Sequence, residues 1–343
     1  MSFFSKSLAT ASTEDPPASQ WTALDEIAQL LKKDLDAVEV EIKKRLISQV
    51  ASVTQIAQHI VMSGGKRIRP VLLLLAAKAL NYHGSRAAYY GAAVEFIHTA
   101  TLLHDDVIDN AQLRRGRPSC NSIWDNKMSV LVGDFLYCQV SSMIAEDGDL
   151  RVLKCVTDAT ANTTEGEVFE VIKSRDLELS EAEYYKIIEF KTGMLMSCAT
   201  EVGAILAGAE PPVQMRLRDF GMNLGIAFQL ADDVLDYTSV EEEFGKAKGV
   251  DLKEGKVTLP LLHALERCDP SEKEIIREGT ITANPDIFLK VLAVLKKYGS
   301  LDYTLRLAEA RVRKAQELLQ DLPDSPYKAG LLKITDFVTL RRK

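Results

Sequence analysis

The sequence predicts an all-α fold on three observations: apolar residues recur at three- and four-residue steps, helix breakers are scarce, and no stretch carries hairpin chemistry. From Thr22 onward, Leu24, Ile27, Leu31, Leu35, Val38 and Ile42 keep the helical period, while Lys32, Lys33, Asp36 and Lys43 fill the other faces; this is the pattern of an amphipathic helix. Only 19 glycines and 11 prolines stand among 343 residues, so long helices are favoured. Start signals are explicit. Ser180 has Glu183 three residues on, and Asp269 precedes a proline suited to a first helical turn. Gly299 and Pro323 mark stops. Strict apolar/polar alternation beside Asn-Gly or Asp-Gly is missing, so hairpins are not expected, and no 20 to 50 residue period points to a solenoid.

The chain is long for one core, yet no linker divides it, and we read residues 21–343 as a single helical domain. Residues 1–20, with small polar side chains, Glu14, Asp15 and two prolines, lack the apolar segment and the arginines of a targeting signal and read as a mobile tail. The formal charge of −7 offers no basic footprint, which disfavours nucleic acid as a partner. Cys120, Cys138, Cys155, Cys198 and Cys268 show no CxxC spacing, as expected of a reduced cytoplasmic protein. The longest apolar run, Val71 to Ala77, is far shorter than the roughly 20 residues of a membrane span, and no amphipathic anchor is evident, so at most transient membrane contact is expected.

One chemical feature recurs: DDVID at 105–109 returns as DDVLD at 232–236. On a helix the first and last acids of each string lie about 40° apart, one turn above each other, so Asp105 pairs with Asp109 and Asp232 with Asp236. Like charges this close are resolved by a cation. Hard oxygen donors favour magnesium, which uses one or two protein carboxylates and completes its shell with water and phosphate. A single cluster of this kind is equally compatible with a solvated acidic turn. Here apolar residues precede both, Phe96-Ile97 and Ile226-Ala227-Phe228, which puts them at the edge of the core, where acid needs a partner. Neither string carries the glycine and glutamate of a calcium-binding EF-hand.

Basic segments accompany the acids. GGKRIRP at 64–70 offers Lys66, Arg67 and Arg69; LRRGRPS at 113–119 offers Arg114, Arg115 and Arg117; the 245–260 segment offers Lys246, Lys248 and Lys256. Arginine forks match phosphate oxygens, and lysine serves as a mobile point charge. Each alone is most often a surface charge. Together with two acid clusters they suggest diphosphate binding.

GGKRIRP, EFIHTATLLHDDVIDNAQLRRG, SVLVGDFLY, GEV, the Lys191-Thr192 pair, FQLADDVLD and the 245–260 segment occur in the order seen in trans-polyprenyl diphosphate synthases, and from about residue 25 to the C-terminus the chain resembles that family, most of all its bacterial octaprenyl-forming members. The resemblance implies an isoprenoid-synthase bundle with a deep central cavity. It implies that Lys66, Arg69, His98 and Arg115 hold the diphosphate of isopentenyl diphosphate, and that Arg114, Lys191, Lys246 and Lys256 cradle the allylic diphosphate. Asp105, Asp106, Asp109, Asp232, Asp233 and Asp236 would ligate or orient magnesium, and Thr192 and Gln229 would face the reacting carbons. His104 keeps a structural reading. Two departures stand out: Ala247 where the family often has proline, and Phe169-Glu170 where a glutamine-containing stretch is common.

The reaction so implied is ionisation of an allylic diphosphate, attack by the alkene of isopentenyl diphosphate, and proton loss, repeated to an all-trans chain for a quinone side chain, in a homodimer. An isoprene unit is about one helical turn long, roughly 5 Å, so residues in the turns before Asp105 would gauge the tail. Ala100 and Thr101 stand there without a blocking ring, consistent with a long, octaprenyl product grown from farnesyl diphosphate. A shorter-chain synthase, a class I terpene cyclase and a non-catalytic subunit remain alternatives. The cyclase reading is disfavoured by DDVLD at the second motif, and the subunit reading by two whole aspartate motifs.

Overall fold

The structure, a computed structural model, describes residues 19–238, 249–282 and 284–340. The tail through Gln20 therefore lies almost wholly outside the described residues. These fall into two compact units. The first contains the chain up to Asp158 with Cys198–Arg218 and Asp321–Leu331, and the second contains Ala159–Ser197, Asp219–Gln320 and the residues from Leu332.

In the first unit, α1 (Ser19–Leu30) and α2 (Lys32–Arg45) meet at Leu31. The amide hydrogen bonds continue through the junction, and Ile27, Leu31, Leu35, Val38 and Ile42 form one buried stripe, as their spacing predicts. After α3 (Ala51–Val61) comes α4 (Ile68–Ala79), buried at every position from Pro70 to Ala77, so its uninterrupted apolar run makes it a core helix. Helix α5 (Arg86–Ile108) packs against α2, α4 and α7 (Asn126–Asp147). Between α5 and α7 lie β1 (Leu113–Arg114), β2 (Arg117–Pro118) and the short α6 (Cys120–Ile123).

The two strands correct the expectation of no hairpin: they pair antiparallel, Leu113 with Pro118 and Arg114 with Arg117. Arg115 and Gly116 turn the chain at φ +54° and +73°, the double left-handed step of a two-residue hairpin turn. Arginine took the place where asparagine or aspartate signals such a turn. Helix α7 is long and apolar enough to cross a membrane by length and composition, a second departure from the expectation. Its Ser129, Val132, Gly133, Leu136, Val140 and Met143 are buried.

The second unit takes the C-terminal part of α8 (Leu150–Lys173), α9 (Glu181–Ile188), a π-helical turn (Glu189–Gly193) and the first residues of α10 (Met194–Leu206). It continues with α11 (Pro211–Thr238) from Asp219, then α12 (Val250–Glu254), α13 (Leu259–Leu265), α14 (Pro270–Ile281), α15 (Pro285–Lys297) and α16 (Ser300–Leu318). The last helix, α17 (Pro326–Leu340), gives residues to both units. Ser180 caps α9 in a reciprocal box with Glu183, as the sequence predicts, and Asp269 starts α14 before its proline as expected, closing a box with Glu272 as well. Tyr184, Ile188, Ile226, Leu230, Leu252 and Leu259 anchor the core.

Candidate functional site

In the first unit, the leading acid cluster closes α5. Asp109 is the C-cap, and its amide donates to the Asp105 carbonyl at 2.8 Å. Both side chains are half-buried. Asp106 turns into the core instead. It is fully buried, accepts from Arg114 Nε at 2.7 Å and pairs with Arg114 Nη2 as well, while Asn121 donates to its carbonyl at 3.1 Å. Burial pushes the Asp106 carboxyl up against the pull of Arg114. On Arg114, burial opposes the charge, but Asp106 outweighs it.

The cations gather where the loop enters α4. Arg67, at φ +46°, donates to Glu39 at 2.9 Å, to Glu95 at 2.6 Å and to the Val61 carbonyl at 3.0 Å, so it is spent on anchoring the loop. Arg69 differs: its buried Nε has no hydrogen-bond partner among the described residues. Burial lowers this guanidinium to about 10, which leaves it charged at neutral pH. Arg115, at the hairpin tip, lies so close to Gly65 that a Cβ there would stand 2.8 Å from its Nη1. His98, about two turns before Asp105, is pushed well below its ordinary value, first by burial and then by Arg69, Arg115, Arg114 and Arg67. It is neutral at pH 7 and can still donate one N–H. Lys66 is half-buried in the same loop. A buried donor without a partner, among guanidiniums and a neutral imidazole, is a site for an anion. Ala100 is fully buried, and the Thr101 hydroxyl donates to the His98 carbonyl at 2.8 Å. His104 accepts its structural role, with Nε2 3.2 Å from the Val130 carbonyl.

The second unit builds its site around the π turn. Three helices come together there on glycine: a Cβ on Gly166 would stand 2.7 Å from Phe190 Cβ and 2.8 Å from the Lys191 nitrogen, and one on Gly225 would stand 2.7 Å from Gly193 Cα. Backbone this close requires residues without side chains. The turn presents Lys191, whose Nζ is 2.9 Å from Glu167 and 2.5 Å from Glu170 on α8. The Thr192 hydroxyl donates to Gln229 Oε1 at 2.8 Å, Gln229 Nε2 donates to Asp233 at 2.8 Å, and the Tyr184 hydroxyl donates to Asp233 at 2.5 Å. Asp233 is buried, and burial first holds its carboxyl well above the usual range. This chain, with Glu170, Lys191, Asp251 and Lys256, lines a cavity of about 90 Å³.

Asp232 and Asp236 are half-buried near the end of α11. The Asp236 carboxylate accepts from the amides of Val250 at 3.1 Å and Asp251 at 3.2 Å, anchoring α12. Lys256 pairs with Glu254 at 2.7 Å. Lys246 lies outside the described residues.

The middle acids, Asp106 and Asp233, are buried and hold neighbouring side chains, whereas the outer acids are half-buried. Among the described residues no three His, Cys, Asp or Glu side chains form a metal-holding group. Magnesium does not require one, because one or two carboxylates suffice when phosphate and water complete the shell. The oxygen donors of Asp105, Asp109, Asp232 and Asp236 fit it. Sequence reasoning missed Glu167, Glu170 and Tyr184. The GEV string contains the first, but no local pattern links any of them to Lys191 or Asp233.

The sequence matches the polyprenyl synthetase family over residues 50–288. The chain is 40% identical to the octaprenyl diphosphate synthase of Escherichia coli K12, over 93% of this chain and 99% of that one. Among solved structures it is similar to a polyprenyl synthase from Caulobacter crescentus CB15 complexed with calcium and isoprenyl diphosphate, with a TM-score of 0.89 and 40% identity over 93% of this chain and 98% of the other. It is likewise similar to a decaprenyl diphosphate synthase from Rhodobacter capsulatus, with a TM-score of 0.88 and 39% identity over 93% and 99%.

Proposed function

This chain belongs to the polyprenyl synthetase family and is a prenyltransferase; on that premise we propose that it lengthens farnesyl diphosphate by successive condensations with isopentenyl diphosphate to octaprenyl diphosphate, the precursor of a quinone side chain. In this reading residues 21–343 act as one prenyltransferase domain. Arg69, His98, Arg115 and Lys66 bind the diphosphate of isopentenyl diphosphate, with Arg69 Nε supplying a donor that no described residue uses. Lys191 and Lys256 bind the allylic diphosphate with Arg114 and Lys246. Asp105, Asp109, Asp232 and Asp236 hold magnesium, and Asp106 and Asp233 orient the side chains around them. Bound magnesium supplies charge neutralisation for the leaving diphosphate. Thr192 and Gln229 face the reacting carbons, where their oxygens meet developing positive charge. The octaprenyl synthase relative and the calcium and isoprenyl diphosphate in the Caulobacter protein support the product class and the metal.

The observation that carries the reading is the partnerless Arg69 donor beside neutral His98 and Arg115. It provides a diphosphate site in addition to the one at Lys191, and a synthase with two diphosphate substrates needs both, whereas a cyclase with one does not. The test is to incubate the purified chain alone with magnesium, farnesyl diphosphate and isopentenyl diphosphate and to size the dephosphorylated product. Octaprenol is expected. Cyclised hydrocarbon would favour the cyclase, and no turnover a non-catalytic subunit. In the same assay Ala100→Tyr shortens the product if Ala100 and Thr101 gauge the tail, and an unchanged distribution removes that gauge.

None of the five cysteines is in a disulfide, which supports a cytoplasmic setting. A homodimer is supported by apolar side chains left exposed on α7, Val130 and Leu131, and on α8, Val168, Val171 and Ile172.

A further inference from the structure

The two diphosphate-binding sets differ in one respect. Arg69 presents a donor with no partner among the described residues, whereas Lys191 is gripped by two carboxylates, at 2.9 Å from Glu167 and 2.5 Å from Glu170, and Lys256 by Glu254 at 2.7 Å. All of these side chains are about three-quarters or more buried, so solvent does little to loosen them. The grip is built in by the backbone: Gly166 lets α8 touch the π turn at Phe190 and Lys191, which brings Glu167, one residue on, and Glu170, one turn on, to the same ammonium. Burial works against the charge of Glu170, but Lys191 and Lys256 outweigh it and hold the carboxyl below its usual range. Glu170 is therefore an anion already sitting on Lys191, a cation that the proposed reaction needs for its leaving group.

We propose that Glu170, assisted by Glu167, is a positioning residue that occupies Lys191 between turnovers and sets how readily the allylic subsite takes up and gives up diphosphate. This rests on the assignment of Lys191 to the allylic diphosphate. A diphosphate arriving at Lys191 competes with Glu170 for its N–H donors, and on leaving it is replaced by the carboxylate rather than by water. Like charge beside the entering anion weakens its hold. An enzyme that repeats its condensation must release inorganic pyrophosphate and reload a longer diphosphate at every cycle, so a subsite with a resident competitor exchanges faster than one of lysines alone.

The experiment is calorimetric titration of inorganic pyrophosphate, with magnesium present, into the wild-type chain and into Glu170→Gln, Glu167→Gln and Lys191→Ala, alongside steady-state assays. Glutamine keeps the shape and removes the charge. Glu170→Gln is expected to bind pyrophosphate about ten-fold more tightly and to lower KM for the allylic diphosphate. KM for isopentenyl diphosphate should not move, and kcat should fall as release slows. Glu167→Gln should move the same way, less far, and gives the answer should Glu170→Gln not fold. Unchanged or weaker pyrophosphate binding in both glutamine variants, with Lys191→Ala clearly weakened, overturns the proposal and leaves the assignment of Lys191 standing. Unchanged binding in Lys191→Ala overturns the assignment and the proposal together.

Discussion

Arg67 and Arg69 stand two residues apart at one loop-to-helix junction, yet only the second is available to a ligand. Arg67 and Glu95 are 9% and 5% exposed and 2.6 Å apart, and together they hold the loop that leads into the first turn of α4, where Arg69 stands. What the cluster does to His98 has a measurable consequence. Its imidazole is held below its ordinary value, first by burial and then by four guanidiniums. An unfolded histidine takes a proton near pH 6.5, and the native one refuses it. Between those two values the unfolded state binds more protons, so stability is fully present above about pH 6.5 and is lost as pH falls below it. In His98→Asn the fall in unfolding free energy between pH 6.5 and 5 should be shallower by about 1 kcal/mol per pH unit, read by urea denaturation across pH. Parallel slopes for the two proteins would show that His98 protonates freely in the native state.

Elements divide into those whose cause is local and those whose cause is not. The Ser180 box and the helix start at Asp269 were legible because their signals lie within four residues, and so was the α2 stripe, because burial follows the helical period. The hairpin was not, since Arg115 adopts the left-handed turn conformation that asparagine usually announces. The π turn had no signal at all. It exists where Gly166, Gly193 and Gly225 bring three backbones together from positions up to 59 residues apart in number. For the same reason the aspartate motifs could be read from spacing, whereas the grip of Glu170 on Lys191 could not. The turn is thus a product of packing, and a single methyl tests it. In Gly225→Ala the added Cβ would stand 2.7 Å from Gly193 Cα, against backbone that cannot swing aside. Overpacking of this kind costs about 1–3 kcal/mol, and the displaced turn carries Thr192 away from Gln229. Thermal unfolding should come at lower temperature, and kcat should fall further than in Asp269→Ala, which loses about 1 kcal/mol of capping far from the turn. Wild-type kcat in Gly225→Ala would show that the close crossing does not position Thr192.

At the scale of the whole molecule, α7 poses a question that its own unit does not answer. This helix is long and apolar enough to cross a membrane, yet only 39% of its most apolar stretch is buried. One face is committed to α5 through Val132, Leu136, Val140 and Met143, so the helix cannot enter a bilayer without surrendering part of the core. The opposite side exposes Leu131 at 61%, and on α8 Ile172 is exposed at 69%. Exposed apolar side chains of this kind on a folded protein mark an interface, and in the homodimer proposed above a second copy of the chain would cover those of α7 and those of α8. Sedimentation equilibrium should therefore return twice the 38.0 kDa chain mass. The double variant Leu131→Glu, Ile172→Glu places charge where apolar surface is to be covered, and it should sediment at 38.0 kDa with its helical circular dichroism retained. A wild-type chain that sediments as a monomer and floats with phospholipid vesicles would assign the exposed side of α7 to lipid instead.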